Sequence, residues 1–254
     1  MAEFVDSICG SARVRVERSI CETATERVHW KRFVAPADGV EPALTVFRHS
    51  ALDGKLIDAP LGKCVFVRDG ARLDVQFEDG MFRGELVLRL GWYLCGTEQG
   101  AVLIHANALS DGTHALVAAG QSGNGKSTLA RLGVGAGLSL LTDEVVMLFP
   151  DGRVSGTPFR SDFDNAGQPG LMPAKYFVAL EKAPREELKP LSALEAVQLA
   201  MAQCFEIAEV AIPRVEVRQR LLTFLSKVQL GTFAFRKHDD AGAFARSLLA
   251  GGAA

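Results

Sequence analysis

The feature that most constrains this chain is a glycine-rich segment near its middle, Gly120-Gln121-Ser122-Gly123-Asn124-Gly125-Lys126-Ser127-Thr128. The segment matches the pattern Gly-x-x-x-x-Gly-Lys-Ser/Thr, in which each residue type has a chemical use. Glycines let the backbone curl so that successive N–H groups point at phosphate oxygens, while Lys126 supplies a positive charge and Ser127 a hydroxyl for Mg²⁺. The segment therefore predicts a site that binds the phosphates of a nucleotide.

The residues on either side of this loop fit the structure that such a loop requires. Residues 114–119 are a short, mostly apolar run typical of a buried strand, and residues 128–134 suit a helix that ends at a glycine cluster. A strand, a loop and a helix in this order predict an α/β fold, in which the positive end of the helix adds to the anion site. A glycine-rich turn with an incidental lysine is the alternative.

The composition limits the other functions that the chain can have. Its 254 residues, 48% of them hydrophobic, are enough to bury a large core in one big or two small domains. A net charge of −2 gives no electrostatic footprint for nucleic acid, and no apolar run approaches the ~20 residues of a membrane span. The five cysteines are scattered without a Cys-x-x-Cys pair, and the N-terminus has no signal-peptide pattern, so we expect reduced thiols in a cytoplasmic protein.

Apolar periodicity divides the chain into a β-rich N-terminal region, residues 1–99, and an α/β domain that contains the loop, residues 100–254. In the first region, Arg68-Asp69-Gly70-Ala71 predicts a hairpin turn, and residues 81–95 are expected to be a helix. In the second, Ser192 and Glu195 form a capping-box signature that opens a helix through about Phe205.

Further elements follow from short apolar runs and turn residues. Strands are predicted at residues 44–47, 64–67, 73–77, 101–106, 138–141, 145–149, 153–154, 175–180 and 232–235, and helices at residues 215–228 and 241–249. Linkers are expected at residues 96–100 and 156–173, the second being an ordered but irregular loop because it is rich in Gly, Pro and Asp.

Asp143 is the second residue expected to carry chemistry. It follows a predicted strand only one helix and one strand after Lys126, so it should return to the end of the sheet where the loop lies. A carboxylate there can hold Mg²⁺ or orient a nucleophile, although a turn aspartate between two strands would have the same spacing. Glu144 is its neighbour, and one of the two acids must point away from the site unless the strand ends there, because adjacent strand residues alternate sides.

Two other residues are candidates because of where they lie in the chain. His105 is in the strand that precedes the hairpin into the loop, where a hydrogen-bonded core histidine is the alternative. Arg160 follows Gly156-Thr157-Pro158-Phe159, and an arginine on such a loop can clamp a phosphate or simply face solvent.

Together these residues resemble the HPr kinase/phosphorylase family and its short bacterial relatives, which share a core with ATP-dependent phosphoenolpyruvate carboxykinase. The similarity covers roughly residues 100–200. It is carried by His105, by the loop from Gly120 to Ser127, and by Leu140-Leu141-Thr142-Asp143-Glu144-Val145-Val146, where the family has an acidic pair. The resemblance implies an α/β phosphate-loop domain of this type, preceded by the β-rich region.

The family's roles can be carried over to the matching positions. The resemblance implies that Asp143 is the base acting on a serine hydroxyl, that His105 positions it, and that Glu144 joins Ser127 in holding Mg²⁺. Lys126 and the loop would hold the phosphates of ATP. Two departures are that Glu144 stands where the family usually has Asp, and that no Glu-Ile-Arg-Gly-type segment follows, which puts HPr itself in doubt as the substrate.

The expected function is therefore that of an ATP- and Mg²⁺-dependent kinase, which transfers the γ-phosphate to a serine hydroxyl of a protein or peptide. A small-molecule kinase or carboxykinase-like enzyme is one alternative, and a non-catalytic nucleotide-binding regulatory protein is another. The sequence leaves the acceptor and the oligomeric state open, and a homo-oligomer is compatible with it. Nucleic acid and membranes are not expected as partners.

Overall fold

The computed structural model describes residues 3–24, 28–160, 163, 167–204, 211–236 and 240–251. Its strands form two sheets, so the molecule is a mixed α/β structure. The first sheet contains β1 (Phe4–Cys9), β2 (Ala12–Glu17), β3 (Leu44–Arg48), β4 (Lys55–Ala59), β5 (Gly62–Asp69) and β6 (Arg72–Gln76). The second contains β7 (Val102–Ser110), β8 (Ala115–Ala119), β9 (Ser139–Thr142), β10 (Val145–Leu148), β11 (Arg153–Ser155), β12 (Leu171–Lys182), β13 (Glu187–Pro190) and β14 (Gln229–Phe235). The helices described are α1 (Arg18–Thr23), α2 (Met81–Glu98), α3 (Lys126–Gly135), α4 (Ala193–Ala202), α5 (Arg214–Leu225) and α6 (Asp240–Leu249).

The first sheet packs one of its faces against helix α2. Its strand order is β1-β2-β3-β6-β5-β4. Every second residue of β1 is buried, as expected for a sheet with one covered face. The covered face shares a hydrophobic cluster with α2, to which Trp92 and Tyr93 contribute the largest side chains.

Helix α2 lies between the two sheets. All of its residues from Gly84 to Thr97 are buried, and its cluster includes Leu103 of β7 and Met147 of β10. A Cβ at Gly96 would lie 2.9 Å from the side chains of both Leu103 and Met147, so the close approach requires glycine there. The predicted helix is confirmed but continues to Glu98. The linker expected at residues 96–100 is therefore wrong for residues 96–98, where packing on both sides outweighs the low helix propensity of glycine, and the connection to β7 is residues 99–101.

The second sheet positions the glycine-rich segment. Its strand order is β11-β10-β7-β8-β12-β14-β13, with β9 paired to β7. Strands β8, β12 and β14 run parallel, so their carboxyl ends meet at one edge of the sheet. Helices α3 and α6 cover one face, and α4 and α5 cover the other.

Most of the predicted elements are present, with shifted ends. The hairpin between β5 and β6 is confirmed. The capping box is also confirmed, since Ser192 accepts from the N–H of Glu195 and the Glu195 carboxylate accepts from the N–H of Ser192. Helix α4 ends at Ala202, short of the predicted end, and Phe205 lies outside the described residues. The irregular loop expected to reach Pro173 ends earlier, because β12 begins at Leu171 to pair with β11.

The division of the chain into two regions after residue 99 stays a prediction. Helix α2, which lies before that boundary, packs on both sheets. Strands β1, β2, β4 and β13 and helix α1 were not indicated by the sequence patterns. Across the described ranges, no helix combines the length and the apolar character that crossing a membrane requires.

Candidate functional site

The glycine-rich segment connects β8 to α3, as the sequence predicts. Strand β8 is buried throughout and ends at Ala119. Helix α3 begins at Lys126, and its N-cap residue Gly125 has a left-handed backbone with φ of 100°. A Cβ at Gly125 would also lie 2.9 Å from Cζ of Phe235, so both the backbone angle and the available space favour glycine.

The N-terminus of α3 and Lys126 make the loop a local centre of positive charge. The N-cap residue Gly125 has no side chain that could cap this helix end, and N–H groups at a helix N-terminus can bind an anion. Lys126 is only 7% exposed, and its Nζ donates to the carbonyl oxygens of Gly120 (2.7 Å) and Gln121 (3.4 Å). Burial lowers the pKa of Lys126, while the charges of Glu144 and Asp143 act in the opposite direction. The lysine charge and both acids are therefore close enough to interact.

The acidic pair occupies an interruption in a paired strand. Strands β9 and β10 pair one after the other with β7, which places Thr142 opposite Ala108 and Val145 opposite His105. Asp143 and Glu144 form the bend between these two pairings, and interruptions of this kind redirect side chains near functional sites. The Thr142 hydroxyl accepts from the N–H groups of Glu144 (3.3 Å) and Val145 (3.4 Å) and holds the bend.

The two acids have different surroundings. Asp143 is 4% exposed and its charge acts on Lys126. Glu144 is held between two basic side chains: its Oε1 accepts from Nη2 of Arg89 at 2.8 Å, and its Oε2 lies 3.5 Å from Nδ1 of His105. The structure thus brings together Lys126, Asp143, Glu144 and His105, which the sequence analysis proposed as site residues.

His105 is hydrogen bonded in a way that fixes its tautomer. Its Nδ1 lies 2.9 Å from the carbonyl oxygen of Glu144. Since a carbonyl oxygen only accepts, Nδ1 must carry the hydrogen, which leaves Nε2 as an acceptor in the neutral ring. Burial lowers the pKa of His105, with the charge of Glu144 opposing this effect and that of Lys126 adding to it, which favours the neutral ring.

Arg89 is a site residue that the sequence analysis did not propose. It lies on α2, is 4% exposed, and donates to Oε1 of Glu85 through Nε (2.9 Å) and Nη2 (2.6 Å) as well as to Glu144. Burial lowers the pKa of Arg89, but the charges of Glu144 and Glu85 outweigh burial and leave it raised. The Glu85–Arg89 spacing within the largely apolar middle of this helix was the available signal, but nothing in the sequence indicated contact with Glu144.

Two amide side chains also tie the loop to the sheet. Asn107 is fully buried and donates from Nδ2 to the carbonyl of Lys126 at 2.5 Å. With its amide nitrogen facing them, Gln203 donates to the carbonyls of His105 (3.2 Å) and Gly120 (3.0 Å). Neither residue belongs to a recognisable motif, and each reaches the loop only through the folding of the second sheet.

The segment after β11 packs against the acidic bend. Thr157 donates from its hydroxyl to the carbonyl of Val145 at 2.7 Å, and Phe159 packs its ring 5.0 Å from the guanidinium of Arg89. Arg160 is partly exposed at the end of this described stretch, and its contact with a phosphate stays a prediction.

A cavity of about 240 Å³ opens beside the loop at the carboxyl ends of β12 and β14. It is lined by Asn124, Gly125, Lys182, Ala183, Phe235 and Arg236. Ligands in open α/β sheets characteristically bind at this edge. The site therefore has a glycine-rich loop at the N-terminus of a helix, a cavity next to it and an acidic bend.

The oxygen donors around the loop fit Mg²⁺. The Ser127 hydroxyl and the Asp143 and Glu144 carboxylates are hard ligands of the kind that Mg²⁺ prefers. In the described part of the chain, no group of three or more His, Cys, Asp or Glu side chains forms a complete metal cage. This is compatible with Mg²⁺, which usually takes one or two protein carboxylates and completes its shell with phosphates and water.

Comparisons with known proteins add little to this geometry. No protein-family model matches the chain, and no curated protein matches it in sequence. Among solved structures, it is similar to the Hpr(Ser) kinase/phosphatase from Coxiella burnetii, with 13% identity, a TM-score of 0.29, and 57% of this chain and 93% of that chain covered. So slight a likeness carries no functional inference by itself.

Proposed function

We propose that this chain binds a nucleoside triphosphate with Mg²⁺ at the loop from Gly120 to Thr128 and transfers the γ-phosphate to a hydroxyl group. The observation that carries the proposal is the meeting of a buried lysine and a buried carboxylate at a glycine-rich strand–loop–helix turn, with Lys126 7% and Asp143 4% exposed. Burying a charged side chain costs free energy. Charged side chains that are buried together in one place are therefore candidates for a functional site.

The phosphates of ATP would take over contacts that the loop now makes with itself. The lysine ammonium bonds to the carbonyls of Gly120 and Gln121, and phosphate oxygens would be stronger acceptors for the same charge. The uncapped N–H groups at the start of α3 would donate to the same anion. The adjoining cavity, with the ring of Phe235 in its lining, offers an apolar surface on which the nucleotide base could stack.

Ser127 and Glu144 are the residues that would hold the metal. Mg²⁺, when bound, would neutralise part of the phosphate charge. The Asp143 carboxylate would accept the proton of the acceptor hydroxyl. As the acceptor oxygen bonds to the γ-phosphorus, the bond from that phosphorus to the nucleoside diphosphate breaks and the hydroxyl proton passes to Asp143. The contribution of the protein is mainly positioning and charge stabilisation.

A serine of a polypeptide is the acceptor that suits this site best. The cations whose charges act on His105 are Lys126 and Arg89, and Arg89 is already engaged by two carboxylates. The basic side chains of the adjoining cavity, Lys182 and Arg236, lie on the side proposed for the nucleotide. At the acidic bend a small anionic metabolite would need fixed cations, whereas a neutral hydroxyl needs a nearby carboxylate and a surface for its flanking residues. The resemblance in sequence to the HPr kinase/phosphorylase family also favours a serine.

The test is a transfer experiment with labelled ATP. The protein is incubated with Mg²⁺, γ-labelled ATP and either peptides or lysate proteins, and products are identified by mass spectrometry. Label on a serine supports the proposal. Label found only in a small molecule would favour a metabolite kinase, and tight ATP binding without any transfer would favour a regulatory nucleotide-binding protein.

A further inference from the structure

We propose that Arg89 is a positioning residue of this site: it holds Glu144 by one carboxylate oxygen and leaves the other directed to a divalent cation at the loop. The inference rests on the proposed function, since it assigns a second layer of support to the same cation site. Arg89 belongs to α2, the helix that packs on the first sheet. The N-terminal half of the chain would thereby contribute to metal binding in the second sheet.

The hydrogen bonds of Arg89 determine how Glu144 can act. Nη2 of Arg89 is shared between Oε1 of Glu85 at 2.6 Å and Oε1 of Glu144 at 2.8 Å. Oε2 of Glu144 lies 3.5 Å from Nδ1 of His105, whose hydrogen is directed to the backbone carbonyl of Glu144 at 2.9 Å. One oxygen of the carboxylate is therefore engaged by the arginine, and the other keeps its capacity to bind a cation in a monodentate manner.

The charge balance of the cluster points in the same direction. Glu85 and Arg89 form a neutral pair within one helix, 0% and 4% exposed. Adding Glu144, Asp143 and Lys126, whose charges act on one another, gives three carboxylates and two cations, which leaves one negative charge among these five groups beside the loop. A buried ion pair contributes little stability compared with apolar packing, so stability alone does not explain why a third charged group joins it. A cation at the loop would balance the remaining charge.

Arg89 is itself held in place, as a positioning residue must be. Its guanidinium is held by two hydrogen bonds to Oε1 of Glu85. It also lies 5.0 Å from the centre of the Phe159 ring. A glutamate side chain has several rotatable bonds, and fixing it before a metal binds reduces the ordering that binding requires. Partners that orient a metal ligand typically change metal affinity by about 10–100-fold when they are mutated.

The experiment measures the Mg²⁺ concentration that gives half of the maximal gain in ATP affinity, with Arg89→Lys, Glu144→Gln and the double variant compared with wild type. Arg89→Lys keeps the buried charge but loses the shared fork. We expect it to raise the required Mg²⁺ concentration about tenfold while leaving the affinity for ATP without metal unchanged. If Arg89 acts through Glu144, the double variant should be no worse than Glu144→Gln alone.

The control is Arg220→Lys, which changes another arginine in an (i, i+4) pair with a glutamate. Arg220 pairs with Glu216 on α5 and donates to the carbonyl of Thr97, eight residues after Arg89 in the last turn of α2. A general effect of disturbing such a pair would raise the required Mg²⁺ concentration in both variants. A positioning role raises it only in Arg89→Lys.

The outcomes separate this inference from the proposed function. If wild type shows no Mg²⁺-dependent ATP binding, both fail. If wild type does, and Arg89→Lys has the same Mg²⁺ requirement, only the positioning role is overturned. Thermal melting checks that each variant is folded. Should Arg89→Lys not fold, a different pair of substitutions, Glu85→Gln with Arg89→Met, removes both charges of the neutral pair and takes its place. We expect it to raise the required Mg²⁺ concentration by the same factor.

Discussion

At the scale of single residues, the site is defined by how each charge is compensated. Lys126 bonds to loop carbonyls, Glu144 pairs with an arginine, and Asp143 is buried next to the loop lysine. Because the two acids have different surroundings, we expect them to have different roles although they are adjacent in sequence. We expect Asp143, whose charge acts on Lys126, to accept the proton, and Glu144, which Arg89 holds in place, to be the metal ligand.

Asp143→Asn should separate chemistry from binding. The amide keeps the size of the side chain but does not accept a proton, and help from a general base is worth about 10²–10⁴ in rate. We expect the variant to bind Mg²⁺–ATP within a few-fold of wild type and to lose phosphoryl transfer by that factor. Transfer at the wild-type rate would place the base elsewhere, and Nε2 of His105 would be the next candidate.

His105 should make the stability of the protein sensitive to acid. Because burial lowers its pKa in the folded state, the unfolded chain takes up a proton first as the pH falls below the ordinary histidine value of about 6.5. The unfolded state then binds more protons, so the free energy of unfolding decreases as the pH falls through this range. Urea unfolding at pH 7.5 and 5.5 should show a smaller decrease for His105→Asn than for wild type. Equal decreases would contradict a lowered pKa for this ring.

The spacing of motif residues was sufficient to find the core of the site but not its support. Lys126, Asp143 and His105 were indicated by a local pattern or by adjacency to the loop. Arg89 and Asn107 were not, because their contacts with Glu144 and with the Lys126 carbonyl join residues far apart in the chain. Such contacts depend on how the sheets and α2 pack, and no single-sequence pattern encodes that.

At the scale of elements, the turn into α3 is the most constrained structure in the site. Gly125→Ala should destabilise the protein by roughly 1–3 kcal/mol, because a non-glycine residue is strained at a positive φ and its Cβ would meet the Phe235 ring. It should also weaken ATP binding, since the same backbone directs the first N–H groups of the helix.

Gly135→Ala is the matched control for that prediction. Gly135 closes the same helix, has no positive φ, and a Cβ there meets no atom within 4 Å. We expect this substitution to be neutral or slightly stabilising and to leave ATP affinity unchanged. Equal loss of stability in both variants by denaturant unfolding would show that the turn has no special requirement for glycine.

Element types were predictable where local signals were strong. The capping box at Ser192 marked the start of α4, and the hairpin turn at Gly70 marked the end of β5. The linker expected at residues 96–100 begins too early, because Gly96 lies inside α2 and allows Leu103 and Met147 to approach the helix. A close contact of this kind has the same sequence signature as a loop.

At the scale of the whole molecule, two sheets meet at one helix, and this arrangement links the N-terminal strands to the candidate site. Helix α2 contacts the first sheet along one side and strands β7 and β10 along the other, and it contributes Arg89 to the acidic bend. The α/β character followed from the loop and its flanking patterns. The order of strands in the first sheet did not, because short alternating runs specify strands without specifying their neighbours.

The central claim is that the loop binds nucleotide phosphates through Lys126, and calorimetry with ATP and Mg²⁺ tests it most directly. Lys126→Ala removes a charge-assisted contact worth roughly 1.5–3 kcal/mol, which corresponds to about one to two decades in affinity. Lys63→Ala, which removes an exposed lysine paired with Asp58 on the first sheet, is the control and should bind as wild type does. The account predicts a selective loss of affinity in the folded Lys126→Ala protein. Equal ATP affinity in wild type and Lys126→Ala would contradict it.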